Sequence, residues 1–304
     1  MRAAAAAAAL LVLSLAAPSI AQRVGVAAEA LNADIGSLSD EFDGKALDSK
    51  WAWFHERYSW PDKRKAFNVG ASNAGSLRLE PYHGAWVRDL NAPFLFQNVL
   101  GDFDVRARVR VHGANAVSPG GTWSLGGLMA RVPNGLDSKS WEPRRENWHF
   151  VTTGVGLARG LAVTETKGTY NSYSSLKLRP FQPGWVELRL VRVGVTLFAL
   201  ARADGDNEWQ LRDRFYRMEF NPNMQVGLIA YTTSDDVPPA REDAVKENAT
   251  VKRHAKVDMQ MDVDWIRFSR PQPKIDAFWE SQVQRHPLAD TSLSDAQILK
   301  ALGA

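Results

Sequence analysis

Phe103 to Val111 reads F-D-V-R-A-R-V-R-V, with Val105, Ala107, Val109 and Val111 on one parity and Asp104, Arg106, Arg108 and Arg110 on the other. A period of two turns the apolar set toward a core and the charged set toward water, which predicts a half-buried antiparallel strand. The same grammar recurs. Trp185 to Arg192 sets Val186, Leu188 and Leu190 against Glu187 and Arg189, and a tight turn at Val193-Gly194 returns the chain as Val195 to Arg202. Further strands are predicted at Gly126–Val132, Trp148–Gly156 and Leu161–Lys167, and shorter ones at Phe67–Val69, Ser76–Glu80, Ala85–Asp89 and Phe94–Gln97. Short strands punctuated by Gly, Asn, Asp and Pro predict an all-β sandwich or barrel, not βαβ units.

Two regions depart from this pattern. Residues 232–256 are polar, carry Pro238-Pro239, and read as an inserted loop, either mobile or functional. Beyond Arg270, prolines end the sheet and a helical tail is predicted over 271–304. There Ser294 and Gln297 form a capping box, Leu293 and Ile298 a hydrophobic staple, and Ile298, Leu299 and Leu302 one apolar face closed by Gly303. The tail is expected to pack back on the sandwich, with docking to a protein partner as the alternative.

At the other end, Arg2, the apolar run Ala3–Ala17 and the small residues Ser19-Ile20-Ala21 read as a signal peptide over 1–21, followed by an Ala-rich linker over 22–37. A secreted or periplasmic protein is the expectation, with no later run long enough to span a membrane. The 304 residues include no cysteine, so the core or a bound metal must do what disulfides do elsewhere. A net charge of +3 with interspersed signs argues against a nucleic-acid groove.

Taken in order, several segments resemble a known superfamily: Phe42-Asp43-Gly44 with Trp51-Ala52-Trp53, Gly101-Asp102-Phe103-Asp104-Val105, Gly127-Leu128-Met129-Ala130-Arg131, Trp185 to Leu190, Ala203-Asp204-Gly205 with Trp209, Val226-Gly227-Leu228, and Val263-Asp264-Trp265-Ile266-Arg267-Phe268. Together they are similar to the concanavalin A-like lectin/glucanase superfamily, in its DUF1349-type and LamG-like branch, over about 38–270. The resemblance implies two antiparallel sheets packed face to face, one concave, and a role in recognising glycans. It also implies a structural Ca²⁺ held by Asp264 against the opening strand, where Glu41 and Asp43 would supply further oxygens.

Eleven tryptophans are present. Trp51, Trp185, Trp209 and Trp265 sit inside strand patterns and are assigned to the core. Trp86, Trp123, Trp141 and Trp148, with Tyr170 and Tyr173, lie in or beside polar, Gly-rich segments. Aromatic faces stack on sugar rings while Arg131 and Asn147 would bond the hydroxyls, which makes these the candidate carbohydrate-binding residues.

An enzyme is the alternative, a saccharide-acting hydrolase with acids in the concave groove. The Glu-x-Asp-x-x-Glu run of a retaining glycosidase, whose working carboxyls stand about 5–5.5 Å apart, is absent. Asp262, Glu146 and Glu165 are the acids left to such a site, and Asp258, Asp262 and Asp264 share parity on the last strand. The six histidines show no metal-binding spacing. The leading expectation is a non-catalytic glycan binder; an accessory interaction module is a third reading.

Overall fold

The computed structural model describes residues 30–272 and 287–304; the expected signal peptide lies outside them. Two seven-stranded antiparallel sheets stack face to face. The first runs in the order β1 (Ala52–Trp53), β4 (Phe94–Leu100), β13 (Asn223–Tyr231), β6 (Ser124–Arg131), β7 (Trp148–Val155), β8 (Ala162–Tyr170), β9 (Tyr173–Pro180). The second runs β12 (Gln210–Tyr216), β11 (Thr196–Ala203), β10 (Trp185–Val193), β5 (Phe103–Gly113), β14 (Met259–Ser269), β3 (Leu77–Pro81), β2 (Arg64–Val69). The all-β sandwich is as expected.

Alternation explains the inner faces. Val105, Ala107 and Val109 of β5 join Val186, Leu188 and Leu190 of β10 and Met259, Met261 and Val263 of β14. From the opposite sheet come Leu128, Val151, Val226 and Leu228. Each such Val, Leu or Met side chain, taken out of water, contributes roughly 1.5–3 kcal/mol. Gly126 and Gly127, which open the predicted strand Gly126–Val132, are inside β6 and let the sheets approach. A Cβ on Gly126 would meet Met261 Sδ at 2.5 Å, and one on Gly127 would meet Leu188 at 2.6 Å.

The ends of the sandwich meet as the resemblance implies: Asp40 and Ile266 exchange backbone hydrogen bonds at 2.8 and 2.9 Å. Ile35, inside the expected linker, is already buried in the core. A bulge between Val263 and Trp265 shifts the parity of β14, so Ile266 and Phe268 point inward and Trp265 outward. Ala85–Asp89 is loop rather than strand, and β9 was not anticipated.

The first sheet is covered on its other face too. A short helix, α1 (Phe54–Arg57), and the segments around Trp60, Trp86, Ala92 and Trp141 lie over Phe94, Phe96, Leu125, Met129, Trp148, Phe150, Ile229 and Tyr231, forming a second core. A third cluster lies outside the second sheet. The 232–256 segment carries helix α2 (Ala244–Ala249), capped by Asp243, and the tail carries α3 (Asp295–Ala301). The predicted capping box is formed, and Ile298 and Leu302 pack on Val191, Val193, Phe198, Leu200 and Trp209. Arg189 donates to the Leu302 carbonyl at 2.9 Å, fixing the tail to β10.

Candidate functional site

Strand β8 reads A-V-T-E-T-K-G-T-Y, and its period of two places Glu165 and Lys167 together on the outer face of the first sheet. Tyr231, last residue of β13, reaches the same place. Lys167 Nζ stands 2.9 Å from Glu165 Oε1 and donates to the Trp86 carbonyl at 3.0 Å. The Tyr231 hydroxyl donates to the other carboxylate oxygen, Glu165 Oε2. All three side chains are buried. The ammonium also lies 5.2 Å from the Phe150 ring and 5.8 Å from that of Trp123. Such a pair is tolerable out of water only because each charge is met by the other and by hydrogen bonds. Burial, reinforced by the Glu165 carboxylate, holds the Tyr231 phenol well above its usual range, so it stays a donor at neutral pH.

Above this triad opens a cavity of ≈ 440 Å³. Trp123, Leu176, Pro238 and Pro239 supply apolar wall, and Lys167, Thr122, Ser234, Asp235 and Arg241 supply polar groups. Trp123 has a φ of 48°, a left-handed conformation that costs a bulky residue about 1–3 kcal/mol. Its N–H donates to Gly156 O at 2.8 Å, which holds it there. At the rim, Asp235 accepts from Thr122 Oγ1 at 2.8 Å and from Arg159. Those hydrogen bonds, Thr122 first and then Arg159, depress its carboxyl below the usual range.

Two loops bound the cavity, and buried polar groups stitch them together. His83 Nδ1 accepts from Ser234 N–H at 3.1 Å, and Lys63 Nζ donates to the carbonyls of Asn91 and Glu247 at 3.1 and 3.2 Å. Asn248 accepts from Asn91 N–H and donates to Asp89 O. Lys252 lies 2.8 Å from the Glu247 carboxylate. Desolvation pushes His83 down to about 4 and Lys63 down to about 8. The polar insertion expected as mobile or functional is thus tied down across the mouth of the cavity.

The expected sugar-binding aromatics divide. Trp123 is in the cavity wall. Trp86 and Trp148 are buried, 5.8 Å apart, in the second core, and Trp141 packs against it. Tyr170 and Tyr173 face each other at the exposed tip of the β8–β9 hairpin, outside the cavity lining. Arg131 is buried between the rings of Phe54 and Tyr58 and gives its guanidinium to Glu146 and Gln225, and Asn147 caps the hairpin turn at Asn171.

The acids divide as well. Glu165 is fully buried beneath the cavity, bound to Lys167 and Tyr231, which line it. Glu146 is consumed by Arg131. Asp262 is a correction: it is on the outer face of the other sheet, held by Arg78, Arg110 and His112 at 2.6 to 3.1 Å. Burial opposes ionisation there, but the hydrogen bonds from His112, Arg78 and Arg110 win and hold its carboxyl far below the usual range.

The implied calcium ligands do not assemble. Glu41 forms a two-pronged pair with Arg267 at 2.7 and 2.8 Å, and Asp264 binds Arg108 at 2.8 Å. Exposed Asp43 sits by Gly75. Guanidinium-paired carboxylates are a poor donor set for a divalent ion, and among the described residues no three acidic or histidine side chains converge as one would need. Sequence reasoning missed Lys167, Tyr231, Ser234, Asp235 and Arg241. The shared parity of Glu165 and Lys167 was the available signal.

No family model matches the chain, and no curated protein matches it in sequence. Among solved structures, the bifunctional GH43-CE protein of Bacteroides eggerthii is similar over 78% of this chain and 26% of its own, at 16% identity and a TM-score of 0.51. A functionally unknown protein from Saccharomyces cerevisiae is similar over 73% of this chain and 97% of its own, at 15% identity and a TM-score of 0.50. The GH43 protein BlXynB of Bacillus licheniformis matches over 76% of this chain and 39% of its own, at 12% identity and a TM-score of 0.48. The chain therefore spans well under half of these two GH43 proteins. At such identities the likeness establishes the sandwich fold. No helix among the described residues is long and apolar enough to cross a membrane.

Proposed function

We propose that the chain is a non-catalytic carbohydrate-binding β-sandwich that takes a saccharide in the cavity over β8 and β13. The observation that carries this reading is the cavity itself: about 440 Å³ on the outer face of the first sheet, walled by Trp123 and lined by Thr122, Ser234, Asp235, Lys167 and Arg241. A sugar offers an apolar C–H face for an indole and a ring of hydroxyls for just such polar groups. The backbone strain at Trp123 supports it, because strain of that kind collects where a side chain is held ready for a ligand. The GH43-type neighbour adds a carbohydrate context to the fold it shares.

A hydrolase of this site would need one carboxyl kept protonated as a general acid. Asp235 is held below its usual range, and Glu165 is committed to Lys167 and Tyr231. Both features favour binding over cleavage. Titration calorimetry of the full chain against neutral oligosaccharides tests the proposal. We expect binding, and expect Trp123→Ala to weaken it at least tenfold while the thermal unfolding transition stays cooperative. Absence of binding to every saccharide by the folded wild-type chain refutes it.

A further inference from the structure

We infer that this cavity takes the end of a glycan chain, or a free mono- or disaccharide, and rejects internal stretches of a polysaccharide. The inference rests on the binding reading above and specifies its ligand. A polysaccharide lying across a concave sheet needs an open trough from one edge strand to the other. Here that trough is filled. Phe54, Tyr58 and Trp60 from the α1 segment, with Trp86 and Ala92, occupy the face over β4, β13, β6 and β7 and are buried there.

The filling is interlocked, not loosely laid on. Trp86 stands edge-on to Phe54, Phe94 and Trp148 at 5.4, 6.1 and 5.8 Å, and its carbonyl accepts from Lys167. Clearing a path through it would return several large aromatic side chains to water, at roughly 1.5–3 kcal/mol each. Among the described residues, the cavity on this face lies near β8 and β9, beside Lys167 and Leu176.

That opening is also closed on its inner side. Ala85 and Val87 belong to the same loop as Trp86, and Ser234 to Arg241 belong to the segment facing it. His83–Ser234, Asn91–Asn248 and Lys63 to both Asn91 and Glu247 join the two loops by hydrogen bonds of 2.9 to 3.2 Å. A cavity of 440 Å³ lies toward the small end of ligand sites, which run about 300–1,000 Å³. It accommodates a terminal unit with its neighbour, entering end-on, while the remaining chain points to solvent.

Calorimetry of the full chain with xylo-, laminari- and manno-oligosaccharides of increasing length, from a single sugar to six, supplies the test. In whichever series binds, affinity should rise from one unit to two and then stay within about threefold up to six. An affinity that keeps climbing tenfold or more between two and six units would overturn the end-on inference and leave the binding reading standing. If none of the three series binds at any length, both fall.

Discussion

The outer faces of the two sheets hold most of their charge in different settings. On the second sheet, Arg189 and Asp104 pair in the buried patch under the tail, but arginines of β5, β11 and β14 reach solvent, each met by a carboxylate. Arg108 binds Asp204 and Asp264, Arg202 binds Glu187, and Arg267 binds Glu41. Indole rings lie flat beneath them, with guanidinium carbons 4.5 Å from Trp185, 4.7 Å from Trp209 and 4.3 Å from Trp265. On the first sheet the outer face holds its charge among rings, Arg131 with Glu146 away from the cavity and Glu165 with Lys167 beneath it. Charge density therefore does not mark the candidate site. A buried pair whose ammonium lines a cavity does, because a desolvated pair is costly to keep and water can replace nothing that is lost.

The largest effect should come from breaking the buried pair. Glu165→Leu leaves the Lys167 ammonium among Phe150, Trp123 and Tyr231 with the Trp86 carbonyl as its remaining close partner. A stranded buried charge costs about 3–5 kcal/mol, and the midpoint of urea unfolding should fall accordingly. Adding Lys167→Met should restore most of the loss, since an apolar replacement of a whole buried pair is close to neutral. A single variant within about 1 kcal/mol of wild type would show that water reaches this site after all.

Acid should act next, through the loop latch. His83 is neutral in the folded chain, its value pushed down to about 4 from an ordinary 6.5 by burial first and then by Lys252, with Glu247 opposing and Lys63 and His254 adding to the depression. A group lowered on folding binds more protons in the unfolded chain. Stability is therefore full above pH 6.5, falls as pH drops from 6.5 toward 4, and is flat with respect to this group below that. Protonation at Nδ1 also removes the acceptor for Ser234 N–H, and folded His83 takes up that proton near 4, so saccharide affinity should hold until the pH approaches 4 and decline there. His83→Asn keeps an acceptor and cannot titrate. Thermal unfolding from pH 7 to 4 should be measurably less steep for that variant, and identical slopes would remove His83 from the latch.

How much of this was legible depends on how many faces of a strand are dry. β5 and β10 announce themselves because one face is core and the other is water, so Val and Arg alternate cleanly. β6 and β7 are buried on both faces, and S-L-G-G-L-M-A-R and W-H-F-V-T-T-G-V keep no period. That loss also hid the second core, and Trp86 and Trp148 looked ligand-facing when they are packing. β9 is an edge strand with little burial, so Y-S-S-L-K-L-R-P carries no pattern to read. Trp265 was misplaced by the bulge after Val263, which no composition rule signals. Glu165 and Lys167 were visible as one face of β8, but a charged face ordinarily means solvent, and only the covering loops make it an interior.

The smallest effect should come from the open face, and it completes the contrast. Asp204 accepts from Arg108 at 2.8 and 2.9 Å, a geometry as good as any at the cavity. Yet its side chain is 43% exposed and that of Arg108 24%, and Arg108 keeps Asp264 when Asp204 is removed. Water and the second carboxylate take over what the first supplied. Asp204→Ala should therefore cost only about 0.2–1 kcal/mol, and that cost should shrink further in high salt, as exposed pairs are screened. The Glu165→Leu cost should be indifferent to salt, since no ions enter the nest. Unfolding midpoints in low and high NaCl compare the two directly. Equal salt dependence for both variants would mean that the faces differ in appearance and not in dielectric environment, and the case for reading the buried pair as a site marker would go with it.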